Sequence, residues 1–316
     1  MKPLRKLLDN LKPNFTNGGA LEKYFPLYDV FENLFYSSDK RTFGSVHIRD
    51  SIDLQKVMVV VWMATFPAMF YGMYNLGFQS LSAFQEIGSI NKDDWQFIFI
   101  DLICNYDPKN ILDCIWFGAC YFIPIYLVTF IVGILWEVVF AIVRGHEINE
   151  GAFVTTVLFA LCCPPDAPLW QVAVGISFGI VVAKEIFGGT GKNFLNPALS
   201  GRAFLYFAYP VHWSGDSVWV AVDGYSSPTI LGIGAQEGLN GIQAQYSWTD
   251  AFFGAIPGSI GETSTLFILL GLMILLYTRV ASWRIIVGVL LGTFLTSELF
   301  NFIGSDTNPM FSLPFH

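Results

Sequence analysis

The chain has 316 residues, 53% apolar and 13% charged, with a net charge of −8 and a mean hydropathy of +0.52. A soluble domain of this length does not carry so few charges, so the composition sets aside a soluble core and points to an all-α polytopic membrane protein. The acidic balance comes from acidic connections between spans, and nothing in it suits nucleic acid.

Residues 1–56 form a head with nine of the 17 Lys and Arg and seven acids. The first apolar run begins only near Val57, so no cleavable signal peptide is visible and the head is expected in the cytoplasm. A membrane domain with broken helices is expected over 57–210, a polar outer loop over 211–262, and further helices over 263–316. The five cysteines Cys104, Cys114, Cys120, Cys162 and Cys163 show no CxxC pair and read as packing residues.

Basic residues give the topology, because Lys and Arg gather on the cytoplasmic side. A span near 57–77 leads to the connection 79–112, where Glu86, Asp93, Asp94, Asp101 and Asp107 outnumber Lys92 and Lys109. A span near 113–142 returns to Arg144 and His146. The run 152–163 goes out to Pro164 and Pro165, and Trp170 to Ile186 comes back, placing Lys184, Lys192 and Arg202 inside. The run 197–210 goes out again, and no Lys or Arg then occurs before Arg279. Spans near 263–278 and 285–303 complete about seven crossings.

Two of these runs fall short of the roughly 20 residues that a helix needs to cross about 30 Å of hydrocarbon. Short, broken segments bounded by Pro and Gly commonly line sites, although a re-entrant packing turn has the same pattern. Asn196-Pro197 is a strong helix start, since Asn can cap free amides and Pro at the first position loses no hydrogen bond. Gly188-Gly189-Thr190-Gly191-Lys192-Asn193 falls short of a phosphate loop, because Ile186 and Asn193 stand where Gly and Ser or Thr are required. Glu137 lies in an apolar run, where an ionisable group is either functional or a snorkelling helix-end carboxylate. His146, Glu147 and Glu150 cluster beyond it. No metalloprotease, hydrolase or paired metal-ligand motif appears.

Several runs together resemble one family. They are Val46 to Leu54, His146 to Gly151, Phe187 to Ala198, Gly201 to Phe204, Gly258 to Thr265 and Gly304 to Pro309. These closely resemble the B-type membrane subunit of the bacterial sodium-translocating NADH:quinone oxidoreductases, and less closely the related Rnf membrane subunit. The resemblance implies a multi-pass protein of the bacterial inner membrane, the first part of a ten-helix, urea-transporter-like fold whose relatives carry about three further spans.

It also implies FMN joined through its phosphate to the Thr229 hydroxyl in a periplasmic loop, within a motif that includes Asp223 and Ser226. In that motif Ser227 and Pro228 stand where the family usually has Gly and Ala. A noncovalent riboflavin is implied near Asn193 and Asn196, with Gly189 and Lys192 in the turn before them. Gly133, Phe204 and Tyr206 match residues associated with quinone, and Glu137 matches an acid linked to uptake of Na+. Partner subunits of types A, C, D, E and F would hold the NADH chemistry and iron-sulfur centres. The rival reading is a cofactor-free channel or small-solute transporter of the same fold.

Overall fold

A computed structural model describes residues 2–16, 18–19, 21–25, 28, 32, 36, 54–88, 94–144, 151–222, 225–305 and 308. All regular structure among them is helical: α1 (Lys2–Phe15), α2 (Leu54–Ala64), α3 (Phe66–Ile87), α4 (Ile111–Arg144), α5 (Gly151–Leu161), α6 (Leu169–Ala183), α7 (Pro197–Ala208), α8 (Ile230–Gln245), α9 (Trp248–Phe253), α10 (Thr265–Tyr277) and α11 (Trp283–Ile303), with single turns between. Among the described residues, four stretches are long and apolar enough to cross a membrane: Lys56–Ile87, Ile111–Arg144, Leu169–Phe187 and Trp283–Ile303. Helices α5 and α10 are shorter and apolar. With α7, each of the seven expected segments has a helix at its position.

Burial on α4 is arranged for a bilayer. Phe117, Tyr121, Ile125, Thr129, Gly133, Glu137 and Ala141 recur every fourth residue and are buried, while Ile123, Leu127, Ile131, Leu135 and Val139 are exposed. The exposed stripe is apolar and the buried one carries the polar groups, as expected for a helix with lipid on one side. Helix α4 packs against α3, α5 and α6, and α7 packs against α5 and α6.

Two of these crossings depend on glycine. A Cβ at Gly118 would overlap the Met73 carbonyl, and one at Gly77 the Cys114 carbonyl, so α3 and α4 meet backbone to backbone. Gly179 and Gly201 do the same for α6 and α7, against the Pro197 and Gly175 carbonyls. Without water exclusion to drive association, small residues that allow this approach supply much of the packing attraction.

Two expectations are corrected. Helix α3 continues to Ile87, so Glu86 stands at a helix end and not in an acidic loop. The stretch 211–262 contains α8 and α9 and is not an extended polar loop. Four glycines, Gly232, Gly234, Gly238 and Gly241, dilute the apolar period of α8, and the chain kinks at Gly238, where φ is +69°. Their low helix propensity hides the element from a reading by hydropathy.

Candidate functional site

Thr229 stands at the helix start of α8, not at a loop tip. Its backbone is extended and its Oγ1 accepts the Gly232 amide at 3.2 Å, which makes it the N-cap. The segment before it is fastened on two sides. The Tyr225 hydroxyl donates to Glu86 at 3.1 Å, and the Ser227 amide to the Asp216 carbonyl at 3.1 Å. Burial, and then the Glu86 carboxylate, push the Tyr225 hydroxyl above its usual pKa. Ser226 is exposed, and Asp223 lies outside the described residues.

Thr229 lines a groove of about 550 Å³ with Ile230 and Leu231. Arg202 and Tyr206 enter it from α7, Trp213 and Trp219 supply aromatic walls, and Gly258, Glu262 and Thr263 close it. That volume lies within the range of small-molecule sites, roughly 300–1,000 Å³. Arg202 is held by main chain, with Nε donating to the Cys162 carbonyl at 3.1 Å and Nη2 to the Trp213 carbonyl at 2.9 Å. The guanidinium lies over the Trp213 ring, 5.1 Å from its centroid. Its buried Nη1 has no partner, and neither has the buried Oγ1 of Thr263. Buried donors left without an acceptor are costly.

Arg202 is therefore not one of the basic residues at the Lys184 and Lys192 end. The expectation that groups it there fails because α7 is short and its sixth residue already reaches the end of α5.

The far pole gathers the other predicted polar residues. Asn196 Oδ1 accepts the amides of Ala198 at 3.0 Å and Leu199 at 3.2 Å, as its sequence predicts, leaving its Nδ2 over. Asn193 Nδ2 donates to the Leu195 carbonyl at 2.8 Å. Gly188 and Gly189 have φ of +110° and +89°, which turns the chain sharply before the exposed Lys192. Thr190 Oγ1 in this turn is buried without a partner.

Beneath the turn runs a ladder of alternating charge. Lys184 pairs with Glu137, both about 3% exposed, and Arg144 Nη1 meets Glu185 at 2.9 Å while Nη2 donates to the Glu185 carbonyl at 2.6 Å. Glu137 is thus enclosed, and the snorkelling alternative is excluded. His146, Glu147 and Glu150 lie outside the described residues.

The three residues matched to quinone are not brought together. Gly133 is enclosed where α4 meets α5 and α6, against Thr156 and Ile180. Phe204 stacks on Phe178, with ring centroids 4.4 Å apart. Tyr206 lines the groove of Thr229. Sequence reasoning misses Arg202 and Thr263 as site residues, although both belong to runs, Gly201 to Phe204 and Gly258 to Thr265, that stand out in the sequence. Their convergence on Thr229 is a tertiary fact.

A protein of Chromohalobacter salexigens, named as the B-type subunit of a Na(+)-translocating NADH-quinone reductase, is 56% identical over 315 residues, which cover 99% of this chain and 76% of that protein. Proteins of the same name from Pseudomonas paraeruginosa and Klebsiella pneumoniae are each 53% identical over 99% of this chain, covering 78% and 79% of their own lengths. Residues 41–315 match the family described as NQR2, RnfD, RnfE, and the chain belongs to that family.

Proposed function

We propose that this chain is the flavin-bearing membrane subunit of a redox-driven sodium pump, in complex with the other subunits of an NADH:quinone oxidoreductase of the inner membrane. Electrons would come from an FMN on a partner subunit, pass through FMN on Thr229 and riboflavin near Asn193 and Asn196, and leave on quinone. The fold is expected to be urea-transporter-like, with the Thr229 pole periplasmic.

One observation carries the proposal: the Thr229 hydroxyl borders a groove with aromatic walls and two buried donors, Arg202 Nη1 and Thr263 Oγ1, that lack acceptors. Those residues fit a planar ring with a polar edge and a phosphate tail. Bound there, the flavin supplies one-electron chemistry. The chain's own part is attachment and orientation. Thr229 Oγ1 would become the ester oxygen, at the N-terminus of α8, where a helix end would favour the negative phosphoryl group. Trp219, which is half-buried, offers a face for stacking, while the buried Trp213 ring backs Arg202.

At the far pole, the leftover Nδ2 of Asn196 and the unpartnered Thr190 hydroxyl supply donors for the second flavin, with Gly189 and Lys192 forming the turn around it. Glu137 is assigned to the path of Na+, the transported cargo. Gly133 lies one helical turn before it on the same buried face of α4.

In-gel fluorescence under ultraviolet light tests the attachment. The denatured chain should fluoresce, and Thr229→Val should abolish the signal while the complex still assembles. A dark parent chain, or a bright Thr229→Val chain, removes Thr229 as the attachment point.

A further inference from the structure

We propose that Arg202 is the residue that takes up the negative charge of the reduced ring in the Thr229 groove, with Thr263 as its companion donor. The inference rests on covalent flavin at Thr229 and goes beyond it, because it concerns the opposite wall.

Arg202 makes two hydrogen bonds, both to uncharged carbonyls, Cys162 and Trp213. Among the described residues no carboxylate lies within ion-pair distance of it, although Glu262 and Asp216 line the same groove. The guanidinium therefore keeps its full charge and one spare donor in a half-buried place, over the Trp213 ring. Leaving a buried cationic donor unsatisfied is costly.

Thr263 has the same defect. It is 4% exposed, lines the groove, and its Oγ1 has no partner. Both residues line the groove, and two spare donors suit a ligand edge with two acceptors. The N1 and C2-carbonyl edge of a flavin is such an edge, and it is where negative charge collects on reduction. The phosphoryl group has its own place, because its oxygen is Thr229 Oγ1 at the first turn of α8. The two anchors therefore divide the work: α8 fixes the tail, and Arg202 with Thr263 meets the ring. A fixed cation aimed at developing charge, in surroundings poor in water, favours the charged form without having to reorganise.

The test uses the purified complex and a redox titration of its visible spectrum, with the Thr229→Val complex as the reference lacking this flavin. In Arg202→Gln the covalent fluorescence should persist. The reduced form should lose about tenfold in relative stability, which lowers the midpoint by about 59 mV for a one-electron couple. Arg202→Lys, which keeps the charge, should stay within about threefold of the parent. Thr263→Val should fall in the same direction by a few-fold, and it serves alone where the Gln complex cannot be purified. An unchanged midpoint in Arg202→Gln or in Thr263→Val, with fluorescence retained, overturns the inference and leaves the attachment intact. A Lys variant as impaired as the Gln variant also overturns it, by making the role steric. A parent chain without fluorescence defeats the attachment itself and this inference with it.

Discussion

Glu137 and Lys184 are enclosed charges within the membrane domain, each about 3% exposed and brought together from α4 and the end of α6. Separately, either would be expensive among apolar helices, and together each satisfies the other. Lys184→Met leaves a carboxylate in a pocket built for an ion pair, and loss of one partner of a buried pair typically costs about 3–5 kcal/mol. The purified complex should then show a clearly lower thermal midpoint. Adding Glu137→Gln to Lys184→Met removes the stranded charge, so the double variant should recover much of the loss. A double variant as unstable as the sum of the two singles would mean that the two side chains do not act as a pair. Sequence makes Glu137 visible, as an acid inside an apolar run. Lys184 stands out there only as a topological marker, because its partner is 47 positions away and no local pattern joins them.

At the scale of helices the two short elements behave as their ends predict. Helix α5 has 11 residues and α7 has 12, so at about 1.5 Å per residue neither spans the hydrocarbon. Asn196 and Pro197 announce the start of α7, and the cap geometry agrees. What the pattern of apolar residues does not carry is how closely helices approach. Gly77 and Gly118 look alike as sequence to Gly288 and Gly292, yet the first two lie against another backbone and the last two have nothing within 4 Å. Gly118→Val should therefore force α3 from α4 and lower the thermal midpoint, with a cost at or above the roughly 1–3 kcal/mol of ordinary overpacking. Gly288→Val on α11 should change it by less than about 0.5 kcal/mol, in keeping with an open surface position. Equal effects at both sites would show that the α3 and α4 crossing is loose. Helix α8 escapes a sequence reading for a related reason, since its glycines weaken the very periodicity by which helices are read.

Across the whole molecule the polar chemistry divides between two poles. Thr229, Arg202, Thr263 and the tryptophans Trp213 and Trp219 share one groove, while Asn193, Asn196, Lys192 and the Glu137 to Arg144 ladder belong to the other. Alternating basic residues put Thr229 and the asparagines on opposite sides and group Arg202 with the asparagines, whereas the Arg202 guanidinium reaches the Cys162 and Trp213 carbonyls. Removing Arg202 from the count strengthens the orientation. Lys192 is exposed at the asparagine pole, and α10 runs from Thr265, beside the groove residue Thr263, to Arg279 at its other end. No Lys or Arg lies between Arg202 and Arg279. The groove pole should therefore face the periplasm and the ladder pole the cytoplasm. Ser226 and Lys192 are both exposed and suit a labelling test. The five native cysteines are buried or half-buried, so the parent chain should give a low background. With a membrane-impermeant maleimide on intact cells whose outer membrane has been permeabilised, Ser226→Cys should label and Lys192→Cys should not. Inside-out vesicles should reverse the pattern. Labelling of Lys192→Cys from the periplasmic side would invert the orientation, and an electron path entering at the Thr229 groove would then have to start from the cytoplasm.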